Sequence, residues 1–269
     1  LDVWQSAWGD FSGVDALVEY ATRSQIRSVN LNPGFSLTRG AWDTQYKSLK
    51  AHTDRFRGAG IRVQYLYAEL SQSVRVHADF LVEHPDLGID TLVDDSEFTD
   101  ARLSSFKANL QMVREAGLRY AGFVTLEGAG NSGVSDQTRF WAIEHMDEPV
   151  LMSYFGCTLT QQQQILKPYL EYADRLGRQR DVKVAILLGS KSVGREASCE
   201  RLLDSRGLCE FIQSLGQWAA GHNSFGGLVL ETNEKMPRFD LGSPVEQATV
   251  GNWAGSLTCA SQSLEAESR

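Results

Sequence analysis

Eight short apolar runs recur along the chain at intervals of roughly 25 to 45 residues, and most of them end in a polar or acidic residue. They are VWQSAW around Trp4, IRSVNLN from Ile26, IRVQYLYAE from Ile61, GIDTLVDD from Gly88, YAGFVTLE from Tyr120, PVLMSYF from Pro149, VKVAILL from Val182 and GGLVLE from Gly226. Stretches with helical spacing separate them. Strand alternating with helix is the pattern of parallel β/α units, because two parallel strands can be joined only by a long crossover. Eight such units close on themselves, so the expected fold is α/β, a (β/α)8 TIM barrel. About 250 residues suffice for one such barrel, and 269 residues therefore read as a single domain over 1–269. The last stretch, 260–269, reads as a flexible tail.

The helical stretches carry recognisable ends. GVDALVEYATRS places Val14, Leu17, Val18 and Ala21 on one face, and AWDTQYKSLKAHTDRFRGAG stops at Gly58 and Gly60. VRVHADFLVEHPD reads as a short helix before the fourth strand. Ser96 precedes a long amphipathic helix, FTDARLSSFKANLQMVREAG, which Asp95 and Ser96 are placed to cap. TQQQQILKPYLEYADRLG is the sixth helix, in which Pro168 is expected to kink the helix or sit in its first turns. A seventh helix ends near Gly221, and SPVEQATVGNWAGSLTC supplies an eighth.

A formal charge of −8, with the basic residues scattered, excludes a general nucleic-acid or anionic-membrane binder, since phosphate contacts need clustered Lys and Arg. No run of about 18 apolar residues exists, so no membrane span is expected. Four cysteines, Cys157, Cys199, Cys209 and Cys259, contain no CxxC pair. Two disulfides and four free thiols both remain open, with Cys199 and Cys209 the nearest pair. A secreted or extracytoplasmic location is the expectation that goes with disulfides.

In a parallel barrel the carboxyl ends of the strands converge on one mouth, so residues far apart in sequence share a cleft. Acids end the third, fourth, fifth and eighth strands: Glu69, Asp94 with Asp95, Glu127 and Glu231. Gathering carboxylates in one cleft is costly unless they are protonated, paired or metal-bound, and a pair in unlike surroundings divides acid and base roles, as glycoside hydrolysis requires. Glu127 is the leading candidate because the glycine-rich loop GAGNSGVSD follows it at once and leaves room for a ligand. Asp94 and Glu231 are candidate assisting carboxylates. Tyr154 is a candidate for orienting the reacting group. Trp4, Trp8 and Tyr67 offer flat faces for sugar rings, with Asn32, Glu69 and Asn233 as polar contacts. The bland reading of any one such acid is a helix cap or an ion-pair partner. No metal and no cofactor is expected: His52, His77, His84, His145 and His222 all fall away from strand ends. No GxSxG anchors a serine triad, and GSKSVG after the seventh strand is a weak phosphate loop.

Three segments resemble the chitinase-like and related glycoside-hydrolase barrels. PVLMSYF is similar to their sixth-strand Met-x-Tyr pattern through Met152 and Tyr154, GGLVLETNE to their eighth strand, and YAGFVTLE to the acidic strand that carries the proton donor, which would be Glu127. The resemblance implies a hydrolase acting on a small-molecule or oligosaccharide substrate. The family's aspartate run before the glutamate is replaced by Gly122 to Leu126, and Glu127 falls on the fifth strand instead of the fourth. Two other readings accordingly stand beside hydrolysis: a catalytically inactive barrel that binds glycan, and a divalent-metal-dependent lyase or isomerase built on the carboxylates.

Overall fold

The computed structural model describes residues 2–5, 14–23, 27–31, 42–67, 73–96, 98–126, 134–153, 158–188, 211 and 214–232. Every apolar run contributes a strand: β1 (Asp2–Gln5), β2 (Ser28–Leu31), β3 (Arg62–Tyr67), β4 (Thr91–Asp94), β5 (Arg119–Thr125), β6 (Glu148–Met152), β7 (Val182–Leu188) and β8 (Phe225–Thr232). All neighbouring pairs are parallel, in the order of the sequence, and β8 pairs with β1 to close the sheet. The architecture is α/β and TIM-like.

Helices α1 (Val14–Arg23), α2 (Trp42–Gly58), α3 (Val74–Glu83), α4 (Leu103–Glu115), α5 (Asp136–His145) and α6 (Leu159–Arg175) fill the connections between β1 and β7. A further helical stretch at 214–219 precedes β8. The expected eighth helix, the tail and all four cysteines lie outside the described residues. Among the described residues no helix is long and apolar enough to cross a membrane.

The strands are mostly apolar because both faces are covered, with polar residues gathered at their ends and in the lumen. Strand alternation divides them into two rows. Leu66, Val93, Ala121, Phe123, Val150, Ala185 and Val229 meet inside the barrel. Tyr65, Tyr67, Leu92, Tyr120, Val124, Leu151, Val184 and Leu228 point outward into a larger core shared with the helices. Helix α4 contributes Phe106, Leu110 and Val113 to that outer core, spaced along one helical face.

Helix ends follow from local chemistry. Ser73 caps α3 by accepting from Arg75 N, Ser135 caps α5 by accepting from Thr138 N, and Thr158 forms a capping box with Gln161 on α6. Helix α2 ends as its glycines predict. Gly60 takes φ 76°, its N–H reaches Arg57 O, and Ile61 N–H reaches Phe56 O at 2.9 Å, the paired bonds of a Schellman motif. The same bond pair recurs after α4, through Gly117 and Leu118, and after α6, through Gly177 and Arg178. Each of these ends hands the chain to the next strand.

One expectation is corrected and another narrowed. Ser96 does not cap the helix that follows: its N–H donates to Asp94 Oδ1 at 2.8 Å, and α4 begins later, after a 3-10 turn over Asp100–Arg102. Of the two places open to Pro168 the first turns are ruled out, since it sits in the middle of α6. It lies on the exposed side together with Gln164, whose carbonyl loses its helical donor, so water can supply the missing bond.

The β7–β8 junction is tight at one point. Arg180 adopts a left-handed φ of 57°, and a Cβ on Gly226 would lie 2.4 Å from the Arg180 carbonyl oxygen and 2.8 Å from its carbon. Gly226→Ala should therefore push the entry of β8 away from β7 and destabilise the protein by about 1–3 kcal/mol, read from the urea midpoint. An unchanged midpoint would show that the junction yields without cost.

Candidate active site

Register partners in a parallel ladder lie on the same face, so the strand register sorts polar residues into lumen and outer rows. At the carboxyl end, Glu231 of β8 is the register partner of Trp4 on β1 and of Leu187 on β7, two positions on from Val229 of the lumen row. Trp4 is in turn the partner of Asn30 on β2. Asn30 is buried, and its Oδ1 has no hydrogen-bond partner among the described residues. The ladder thus brings together an acid, an aromatic residue and a buried amide on three adjacent strands. Trp8, Asn32, Glu69, Glu127, Tyr154 and Asn233 lie outside the described residues. Glu127 follows β5 by two positions in sequence.

Asp94 and Tyr67 are also register partners, but in the outer row. Asp94 is 1% exposed and faces the helix layer. Its Oδ1 accepts from Ser96 N, and its Oδ2 accepts from the Tyr120 hydroxyl of β5 and, at 3.5 Å, from Asn109 Nδ2 of α4. Burial lifts the Asp94 carboxyl above the usual carboxylate range against the pull of these bonds, and burial with the neighbouring Asp94 charge lifts the Tyr120 phenol well above its ordinary value. The carboxylate therefore holds the β4 end against β5 and α4. The Tyr67 ring packs edge-on against His77 of α3, with centroids 4.6 Å apart. Neither of these two side chains reaches the lumen.

His77 completes an outer-layer network that sequence spacing gave no sign of. Its Nδ1 lies 2.8 Å from the Tyr65 hydroxyl, its Nε2 has no partner among the described residues, and burial holds its pKa down at about 4. The neutral imidazole is the form this site accommodates.

At the opposite, amino-terminal end the lumen is closed by charge. Glu148, the first residue of β6, is 3% exposed and meets Arg62 at 2.8 Å, Arg119 at 2.7 Å and Lys183 at 3.0 Å, while Gln64 donates to it at 2.8 Å. Burial by itself would raise this carboxyl, but the Lys183 ammonium and the Arg62 guanidinium hold it down at about 2. Glu148 lies just before the sixth apolar run, and its partners on β3, β5 and β7 are far away in the chain, so no local pattern marks it. The charge cluster at this end serves cohesion of the barrel, whereas chemistry in such folds sits at the carboxyl end.

Neither a protein-family model nor a curated protein matches the chain. Among solved structures it is similar to a chitinase from Chromobacterium violaceum, with TM-score 0.56 and 12% identity over 95% of this chain and 97% of that one. It is similar also to the spore cortex-lytic enzyme SleL of Bacillus cereus, with TM-score 0.54 and 9% identity over 93% of this chain and 73% of that one. A third likeness is to the octameric ribulose-1,5-bisphosphate carboxylase/oxygenase of Pyrococcus horikoshii OT3, with TM-score 0.54 and 12% identity over 98% of this chain. The chain spans 59% of the length of that carboxylase. A chitinase, a lytic enzyme and a carboxylase share the fold, so these likenesses establish architecture alone.

Proposed function

We propose that this protein hydrolyses a glycosidic bond at the carboxyl mouth of its barrel, with Glu127 as general acid and Glu231 as the assisting carboxylate. The observation that carries the reading is the register of Glu231 with Trp4, which sets an acid and a flat apolar residue side by side on β8 and β1. A sugar ring needs both: an aromatic face for its C–H side, and carboxylates flanking the bond to be cut. Glu127 protonates the leaving oxygen. Glu231 supports the positive charge that develops on the ring or activates the attacking water. Trp4 and Trp8 stack on the sugar, Asn32, Glu69 and Asn233 bond its hydroxyls, and Tyr154 orients the reacting centre. Asp94 and Tyr67 take no chemical part, because their side chains serve the helix layer. The fold is one that a chitinase also uses, so the architecture accommodates this chemistry.

A panel of nitrophenyl glycosides and chito-oligosaccharides tests the proposal. The wild-type protein should release product, and Glu127→Gln should lower kcat by at least about 100-fold, as loss of a general acid does, with thermal unfolding unchanged. Full activity in that variant, or no product from any glycan, would overturn the reading.

A further inference from the structure

The β4 strand ends in two consecutive aspartates, and alternation sends them to opposite faces. Thr91 and Val93 belong to the lumen row, Leu92 and Asp94 to the outer row. The strand ends at Asp94, and the bond from Asp95 N–H to Tyr67 O at 2.8 Å belongs to the pairing of Asp94 with Tyr67, so the peptide leading into Asp95 still lies in the sheet. A peptide held in the sheet turns the next residue to the side opposite Asp94, which for Asp95 is the lumen side, just past Val93. Its exposure agrees, since Asp95 is partly exposed where Asp94 is buried. Immediately beyond, the chain is pinned. Ser96 N–H is held by Asp94 Oδ1, and the other oxygen of Asp94 is held by Tyr120.

We propose that Asp95 is the β4 carboxylate presented to the barrel mouth, where it accepts a hydrogen bond from a hydroxyl of the bound sugar, and that Asp94 is the positioning residue that fixes it there. The contact with sugar rests on the hydrolase reading, but the placement of Asp95 does not. Asp94 acts through two bonds at once. Tyr120 anchors its carboxylate to β5, and its bond to Ser96 N–H sets the bend that follows Asp95. Removing the Asp94 acceptor frees the Ser96 amide and lets the Asp95 backbone leave the ladder. An asparagine at 94 still offers an oxygen to Ser96 and so should preserve the bend, whereas leucine offers none.

Carbodiimide coupling of glycine ethyl ester to the native full chain, read residue by residue by tandem mass spectrometry, tests placement without any need for activity. Asp95 should be modified and Asp94 protected, with both modified in urea. Chitotetraose should protect Asp95. A protected Asp95 beside a modified Asp94 in the free protein would overturn the placement. With the glycan that the wild-type enzyme cleaves, Asp95→Ala should raise KM about 10-fold or more while kcat changes little, the loss expected for one hydrogen bond to a charged group. Asp94→Leu should raise KM comparably, Asp94→Asn should restore it, and Asp94→Leu combined with Asp95→Ala should add nothing further. An unchanged KM in Asp95→Ala, or fully additive effects in the double variant, would overturn the contact or the positioning role respectively. If no glycan is cleaved, the hydrolase reading fails by itself, and the labelling pattern still decides whether Asp95 or Asp94 faces the mouth.

Discussion

Glu148→Ala should cost the protein about 3–5 kcal/mol of stability, the penalty typical of removing one partner from a buried ion pair. The reason lies in what remains. Glu148 carries the negative charge that Arg62, Arg119 and Lys183 all meet within 3.0 Å, and Lys183 is itself almost fully buried. Without it, the Lys183 ammonium and the Arg119 guanidinium lose this carboxylate, Arg62 keeps Asp90 at 2.9 Å, and the Gln64 amide loses its acceptor. Glu148→Gln should cost less, because the amide oxygen still accepts while only the charge is lost. Urea unfolding of both variants checks the order; equal, small losses would mean that the cations relax outward to solvent.

The same group sets part of the pH response. Glu148 titrates at about 2 in the fold against an ordinary 4.5, so the stability it supplies is complete above 4.5 and disappears as pH falls towards 2. His77 titrates at about 4 against 6.5, and the unfolded chain binds its proton first. That contribution is complete above 6.5 and is lost as pH falls through 4. Asp94, with its raised value, has the opposite sign and gains on acidification. His77 and Asp94 act in opposite directions above pH 4, whereas the Glu148 contribution is lost only below 4.5, so the urea midpoint should fall as pH drops from 4.5 towards 2. A flat midpoint over that range would contradict the pairing of Glu148 with its cations.

Phe80→Ala is the second large effect, about 3–5 kcal/mol, the range for emptying a buried aromatic site. Phe80 is fully buried in the outer core. Its ring meets Trp42 edge-on at 5.5 Å, His84 edge-on at 4.8 Å and Tyr65 at 6.3 Å, so it joins α2, α3 and β3 at one point. These neighbours sit on three separate elements and cannot all close over the gap. Phe80→Leu, which keeps most of the volume, should recover about half of the loss. Thermal unfolding of both variants measures it, and a Phe80→Ala loss below about 1 kcal/mol would mean that the cluster collapses without a cavity.

What could be read from the chain was whatever local chemistry writes. Strands buried on both faces are mostly apolar, so each announces its position as a short run, as VKVAILL does for β7 with Lys183 its one charged residue. Helix stops are equally local: Gly60 and Gly117 supply a left-handed residue, and the bonds that use it span only five positions. Counting these signals was enough for the order, direction and closure of the strands. The same property that makes such strands visible conceals which way their polar residues point. A strand with one wet face shows its orientation through alternating polarity, whereas GIDTLVDD places Leu92 and Val93 on opposite faces and ends in two acids, so sequence alone treats Asp94 and Asp95 alike. Only the pairing of Tyr67 with Asp94, and of Asp95 N–H with Tyr67 O, separates them. Tertiary structure alone likewise gathers Arg62, Arg119, Glu148 and Lys183, because their attraction acts across the barrel between positions that the sequence keeps far apart.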